Sequence, residues 1–266
     1  PQGASNTFDT IRADLKWDLI PEEFSLKLGG AYKKYGFDTW EYRRVNQSDT
    51  ITALPAGTTL ADVTKLLTGF GHNLDLPANT PTSWLIPDLN KMAAAYDIYC
   101  NCLKSGAAGG PGDFTLSSIT NGNARGNNRA VTEKDTSFYF QFDFAKELFG
   151  RPLRGNVGMR YVKTEQSATG YQAAGGGTAV TVDQTYEDWL PSMNLSLAVK
   201  PNGYVRFAAA NVMARPSLGF LSPGGSISTT GNLTIPAGNP YLQPFRATTF
   251  DARFEYYFES GGLIGV

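Results

Sequence analysis

Residues able to do chemistry are few in this sequence and poorly spaced for it. It contains one histidine, His72, and a lone loop imidazole has no second nitrogen ligand with which to hold a metal. The only thiols are Cys100 and Cys102, in YCNCLK. They lack a third ligand for a metal site. An oxidising compartment permits a disulfide, but bridging residues two apart is strained, so pairing with each other or with partners outside this sequence stays open. Asp14, Asp18 and Asp143 could be cast as an acid–base pair, yet Arg12 and Lys16 interleave with the first two, and charge balance on a wetted wall is the better account. Glycine-rich GAAGGPGD and AAGGGT lack the strand–turn–helix setting of a phosphate cradle and read as loop. We expect neither catalysis nor a bound metal or cofactor.

The elements that carry these residues are strands of strict alternation. From Ile11 the chain sets Ile11, Ala13, Leu15, Trp17 and Leu19 against Arg12, Asp14, Lys16 and Asp18, so one face is greasy and the other charged. The same pattern recurs from Phe24 (Phe24, Leu26, Leu28), in TSFYFQFDF (Phe138, Phe140, Phe142, Phe144), in RGNVGMRYVKTEQSATGY, in YEDWLPSMNLSLAVK, from Tyr204, and in FDARFEYYF, with GGLIGV opening an eighth strand. Between the second and third lies a helical spacing, Leu89, Met92, Ala93, Tyr96, Cys100 and Leu103, with Asp88 as its N-cap.

Composition narrows the class. A net charge of -1 over 266 residues gives no footprint for nucleic acid. No run approaches the roughly 18 apolar residues of a membrane helix, whereas a membrane barrel alternates and needs no such run. PQGASN reads as the middle of a loop and not as a leader, so we expect a processed chain or an interior piece of a longer one. The connections alternate: short at Pro21–Glu23, very long over about 45–133, short over 145–153, medium over 173–184, short at Pro201–Gly203, long over about 216–246 and short over 259–262. Tight turns at one end and long loops at the other are the layout of an outer-membrane barrel. Arg12 or Lys16 facing lipid would cost roughly 2–4 kcal/mol near the midplane, so the greasy face belongs outside and the charges inside. Trp17, Trp40, Trp189 and the tyrosines near strand ends suit interfacial girdles. An open sheet edge in lipid leaves backbone groups unpartnered, and a loop of about ninety residues is out of proportion for a small barrel, so seven strands and a stub are expected to be a slice of a larger one.

The stretch GNPYLQPFRATTFDARFEYYF (238–258) resembles a signature of TonB-dependent outer-membrane transporters, in particular a proteobacterial subgroup often associated with carbohydrate uptake. It supplies Gly238, Asn239, Pro240, Leu242, Pro244, Asp251, Glu255, Tyr256, Tyr257 and Phe258, and departs at Ala247 and Thr249, where the family usually has Ser and Asn. FGRPLRGNVGMRYVKTEQSATGY, DWLPSMNL and MARPS are similar to the family as well. The resemblance implies about seven or eight strands of an all-β, antiparallel barrel of about 22, with 45–133 and 216–246 as long extracellular loops, the first containing the short helix. It further implies an upstream plug domain not contained in this sequence and import of a large, scarce solute, an oligosaccharide or an iron chelate. Its partners would be outer-membrane lipid, TonB through other parts of the parent chain, the extracellular solute and, left open, a surface lipoprotein.

On that resemblance, ligand contacts fall in the long loops and the lumenal mouth, where Trp84, Tyr99, Phe114, Asn121, Asn123, Arg125, Asn127, Asn128 and Arg129, with Arg215 and Asn232 in the later loop, supply the aromatic platforms and planar hydrogen-bonding groups that grip sugars. A disordered linker is the alternative for the Asn/Gly-rich run. The competing readings of the whole are a non-energised porin or small barrel, and a soluble all-β carbohydrate-binding module.

Overall fold

The computed structural model describes residues 1–45, 54–99, 101, 115–172, 177–225 and 237–266. In chain order its elements are β1 (Gln2–Ile20), β2 (Phe24–Glu41), β3 (Arg43–Arg44), α1 (Leu60–Val63), β4 (Thr64–Leu67), β5 (Trp84–Pro87), α2 (Leu89–Tyr96), β6 (Leu116–Ser117), α3 (Gly122–Arg125), β7 (Arg129–Leu148), β8 (Arg151–Tyr171), β9 (Ala179–Lys200), β10 (Gly203–Ala214), a 3₁₀ turn (Leu218–Leu221), β11 (Phe245–Phe258) and β12 (Gly262–Gly265). They fall into two compact units, one of Pro1 with Glu41–Ala124 and one of Gln2–Trp40 with Arg125–Val266.

The second unit is one eight-stranded sheet in the order β1-β2-β7-β8-β9-β10-β11-β12, antiparallel from β2 through β7, β8, β9, β10 and β11 to β12. Registers place like with like on each face: Leu28 lies opposite Phe140, Phe140 opposite Met159, Val157 opposite Met193, and Leu195 opposite Phe207. This face is exposed although apolar, with Ile11 at 74% and Trp17 at 64%. A soluble sheet hides that face; a lipid-facing one does not. The band has a visible upper edge. Phe138, Tyr161 and Trp189 stand in one cross-strand row, with the Tyr161 and Trp189 rings 4.8 Å apart. The next outward residues above it are Thr136, Lys163 and Glu187, then Lys134, Glu165 and Thr185. Below that row, Phe138–Leu148 on β7 and Arg151–Tyr161 on β8 match the roughly 9–11 residues needed to cross hydrocarbon. The strands therefore overshoot the membrane on the side of the long loops.

Turns at the other end are tight. Phe149 and Gly150 both adopt positive φ, 52° and 70°, the two-residue hairpin geometry whose twist matches its strands.

Several boundaries differ from expectation. PQGASN is not loop: β1 already runs from Gln2, and Gly3 lies so near Trp40 that a Cβ would come within 2.3 Å of the indole. β7 begins at Arg129, so the first long connection ends before 133, and β9 begins at Ala179 inside the expected medium loop. The helix is shorter than its spacing implied. Asp88 caps it, accepting from the N–H groups of Asn90 and Lys91, but Asp97 turns left-handed and the N–H groups of Asp97 and Ile98 bond back to Ala94 and Ala93. That closure satisfies the terminal carbonyls and stops the helix at Tyr96.

Pairing between β9 and β10 runs from Lys200↔Gly203 only to Ser192↔Ala210, although β9 continues to Ala179 against β8 and β10 to Ala214 against β11. Above Ser192 the two strands part, and Arg246 forms an ion pair with Asp188 across the opening.

The first unit holds two small two-stranded sheets, β3–β6 and β4–β5, with α1 and α2. Thr59 and Asp62 open α1, the backbone N–H of Thr59 donating to the Asp62 carboxylate at 2.8 Å.

The assigned faces make a direct prediction. Val157→Arg, on the outward face near the middle of its span, is expected to lower stability by ~2–4 kcal/mol. Asn156→Lys, its neighbour on the opposite face, should change stability by less than about 1 kcal/mol. Denaturant unfolding of the protein in lipid vesicles measures both, and equal penalties would show the faces to be misassigned.

Candidate functional site: the inner wall and its strap

Within the membrane band the inward face of the sheet is polar and internally balanced. Arg12 pairs with Asp14, Lys16 with Asp18 at 2.7 Å and Lys27 with Asp143 at 2.9 Å. Tyr139 donates its hydroxyl to Asp14 at 2.5 Å while Arg160 lies over the Tyr139 ring. Near the tight turns, buried Glu255 accepts from Arg206 and Tyr257, each at 2.8 Å. A hollow of about 1000 Å³ opens on this face, lined among others by Lys16, Asp143, Arg154, Asn194, Arg206 and Asp251. Its lining spans β1 to β11, so the sheet curves around it. Each carboxylate expected to be charge-balancing has its cation. Among the described residues no cluster of three or more His, Cys, Asp or Glu side chains could hold a metal.

Above the band the wall changes character, because the chain between β10 and β11 folds back onto it. Two limbs of this strap are described, Arg215–Gly225 and Ala237–Pro244. Leu221, with Leu218 and Leu242, packs on Val131 of β7, Ala168 of β8 and Phe37 of β2. The limbs are tied together by the Asn239 N–H donating to the Phe220 carbonyl at 2.7 Å. Gly238 is required there, since a Cβ would lie 2.4 Å from the Phe220 oxygen and 2.6 Å from that of Ser222. Asn239 also accepts from the Tyr241 N–H at 2.9 Å, a side-chain turn that points the Pro240 carbonyl at the wall. Gln166 donates to that carbonyl at 3.2 Å, and Gln184 of the next strand donates to it as well.

Beside this contact sits a buried ionic group. Glu133 and Asp135 point inward from β7, each 3% exposed. Arg215, immediately after β10, brings its guanidinium 2.7 Å from Asp135 and 3.6 Å from Glu133, and Thr164 donates its hydroxyl to Asp135 at 2.8 Å. Burial pushes the Glu133 carboxyl up to about 7; Arg215 opposes the shift and Asp135 adds to it. Burial likewise raises Asp135, against the Thr164 hydrogen bond and the charges of Arg215 and Lys33.

A family profile described as TonB dependent receptor-like, beta-barrel matches residues 2–266. The chain belongs to this family. Its site is therefore the bacterial outer membrane. A comparison with curated proteins found no match. Among solved structures, the chain is similar to a ferric enterobactin receptor mutant of Pseudomonas aeruginosa crystallised with enterobactin, at 14% identity and a TM-score of 0.28, covering 99% of this chain and 42% of that one. The present chain thus spans well under half of that receptor's length.

In this receptor barrel, the residues that carried the resemblance act as pins. Gly238, Asn239, Pro240 and Leu242 seat the strap, Asp188 of DWLPSMNL holds Arg246, and Glu255 ties β10 to β11. The expected ligand residues are scattered. Trp84, in an edge contact with Phe70 at 4.8 Å, Tyr99, at 85% exposed, Asn121 and Asn123 belong to the first unit. Asn121 is buried, accepts from the N–H groups of Asn123 and Ala124, and donates to the Arg44 carbonyl. In the second unit Arg125 lies against the Gly177 backbone, the Asn127 carbonyl accepts from the Thr39 hydroxyl, Asn128 is buried and closes a turn onto Arg125, and Arg129 is the first residue of β7. Arg215 is the clamp just described. Phe114, Asn232, Cys100 and Cys102 lie outside the described residues.

Glu133, Asp135, Gln166 and Gln184 were not foreseen. Their signal was parity: Glu133 and Asp135 continue the inward series of Ser137, Tyr139 and Gln141. Arg215→Ala would strand two buried carboxylates, a change expected to cost ~3–5 kcal/mol. Thermal unfolding of the receptor in detergent checks this, and a loss below about 1 kcal/mol would show that the clamp contributes little.

Proposed function

We infer that this chain is the wall and outer mouth of an energised importer, binding a large, scarce solute from outside and releasing it inward with energy relayed by TonB. The observation that carries this is the family match over almost the whole chain. The division of faces is consistent with it: an apolar exterior, a charge-balanced interior and strands that extend beyond the bilayer into a strapped mouth. A sheet in hydrocarbon must close, so the working barrel includes strands beyond these eight, and contact with TonB falls to other parts of the parent protein. The chain itself performs no chemistry on this reading.

The solute is taken to be an oligosaccharide, on the strength of the 238–258 signature and the amide- and arginine-bearing residues near the mouth, with an iron chelate as the alternative. Uptake by whole cells of labelled oligosaccharides and ferric chelates, with and without TonB, decides between them. Energised import predicts accumulation of one class that disappears without TonB while surface binding persists; passage at the same rate without TonB would make the protein a porin. Within the winning class, Arg125→Ala is expected to weaken surface binding by about ten-fold, the effect of one charge-assisted hydrogen bond. Unchanged binding in Arg125→Ala and in alanine variants of Asn123, Asn127 and Arg129 would move the solute away from this segment.

A further inference from the structure

We propose that the strap is held by a proton-operated latch, in which Arg215 clamps it to Glu133 and Asp135 and the protonation of Glu133 sets how firmly it is seated. The geometry is asymmetric. Asp135 has the close guanidinium contact and the Thr164 hydroxyl, whereas Glu133 has only the longer approach to the same Arg215. Two buried acids sharing one close cation do not both ionise freely, because each raises the other's cost of carrying charge.

The other neighbours do not supply Glu133 with an equal cation. From β2, Tyr35 stands directly opposite Glu133 and Lys33 opposite Asp135. From β8, Gln166 stands opposite Glu133, with Thr164 opposite Asp135. Tyr186 of β9 lies beside Thr164. On β7 itself the same face carries Arg129 beyond Val131, at the outer end of the strand. Val131 is also the residue on which Leu221 and Leu242 rest. A charge at Glu133 therefore borders the apolar seat of the strap, and its hydration competes with that seat.

The direction follows from linkage. With the strap seated, the Glu133 carboxyl titrates near 7, against an ordinary value of 4.5. Lifting the strap hydrates it, so the seated form binds a proton more tightly than the lifted form. A raised acid contributes stability that is complete below its ordinary value and is lost as pH rises through the shifted one. Seating is thus firmest below about pH 4.5, weakens as the pH rises from there, and has lost this contribution once the pH passes about 7.

Amide hydrogen exchange on the whole receptor in outer-membrane vesicles, corrected for intrinsic rates, reads this without any solute, so the result stands apart from the importer reading. Protection of the amides of Phe220 and Asn239 should fall about ten-fold between pH 6 and pH 8, the response of a single proton, while amides of β8 and β9 inside the membrane band stay constant. Glu133→Gln should hold the strap at one protection level across that range. Asp135→Asn, which removes the like charge and frees Arg215 for Glu133, should move the fall to lower pH. Protection that does not change between pH 6 and pH 8 in the native receptor overturns the latch. So does an equal fall in Glu133→Gln, and, should that variant not fold, an unmoved midpoint in Asp135→Asn.

Discussion

Hydrocarbon offers no hydrogen-bond partner, and nearly everything in this chain follows from that constraint. Every backbone N–H and C=O at membrane depth must find another strand, which fixes the antiparallel sheet. Successive side chains must then face opposite solvents, which fixes the alternation. Arg12, Lys16 and Lys27 can sit at membrane depth only because that alternation turns them inward, where Asp14, Asp18 and Asp143 balance them. Exposed pairs of this kind add little stability individually. They make the inner face wettable without a large net charge.

Where the strands rise out of the lipid the constraint is relaxed and a different economy of forces takes over. Both faces there meet water or protein, and the inward face is covered by the chain's own strap. The strap is not greasy enough to hold by burial alone, its described apolar seat being a handful of side chains. Two glutamines on one carbonyl and one arginine between two acids complete the attachment. Such groups are directional, so they set position as well as strength. The family signature is found here because a tight turn at Gly238 and a carbonyl aimed by Asn239 leave little room for other residues.

Sequence and structure agree where lipid writes the pattern. Phe138, Phe140, Phe142 and Phe144 against Tyr139, Gln141 and Asp143 can have only one meaning for face and register. The agreement ends at Thr136, because above the aromatic row the run Glu133, Lys134, Asp135, Thr136 is polar on both sides and period two vanishes from hydropathy. The strand continues regardless, held by its neighbours, and of the two acids at the centre of the strap clamp Glu133 was hidden at the end of what read as loop while Asp135 fell just short of the expected strand. The stop of α2 at Asp97 was equally silent, since no glycine marks the left-handed residue. Arg215 was legible as a polar residue at the mouth, but its partners lie far away in sequence, and only the fold brings them together. The pairing of Pro240 with Gln166 and Gln184 is hidden for the same reason.

The parting of β9 from β10 above Ser192 has a mechanical meaning. Below it, β9 and β10 are stitched together from Ala198 and Tyr204 to Ser192 and Ala210, with one register shift next to the turn; above it, β8–β9 and β10–β11 are separate leaves. The strap springs from the second leaf and rests on the first, and Arg246 on Asp188 joins them again beside it. A load applied to the strap from outside is therefore carried across a seam by a few polar contacts pulled side by side, while the ladder beneath bears almost none of it. The outer rim can yield locally above the ladder that joins β9 to β10 up to Ser192 and Ala210.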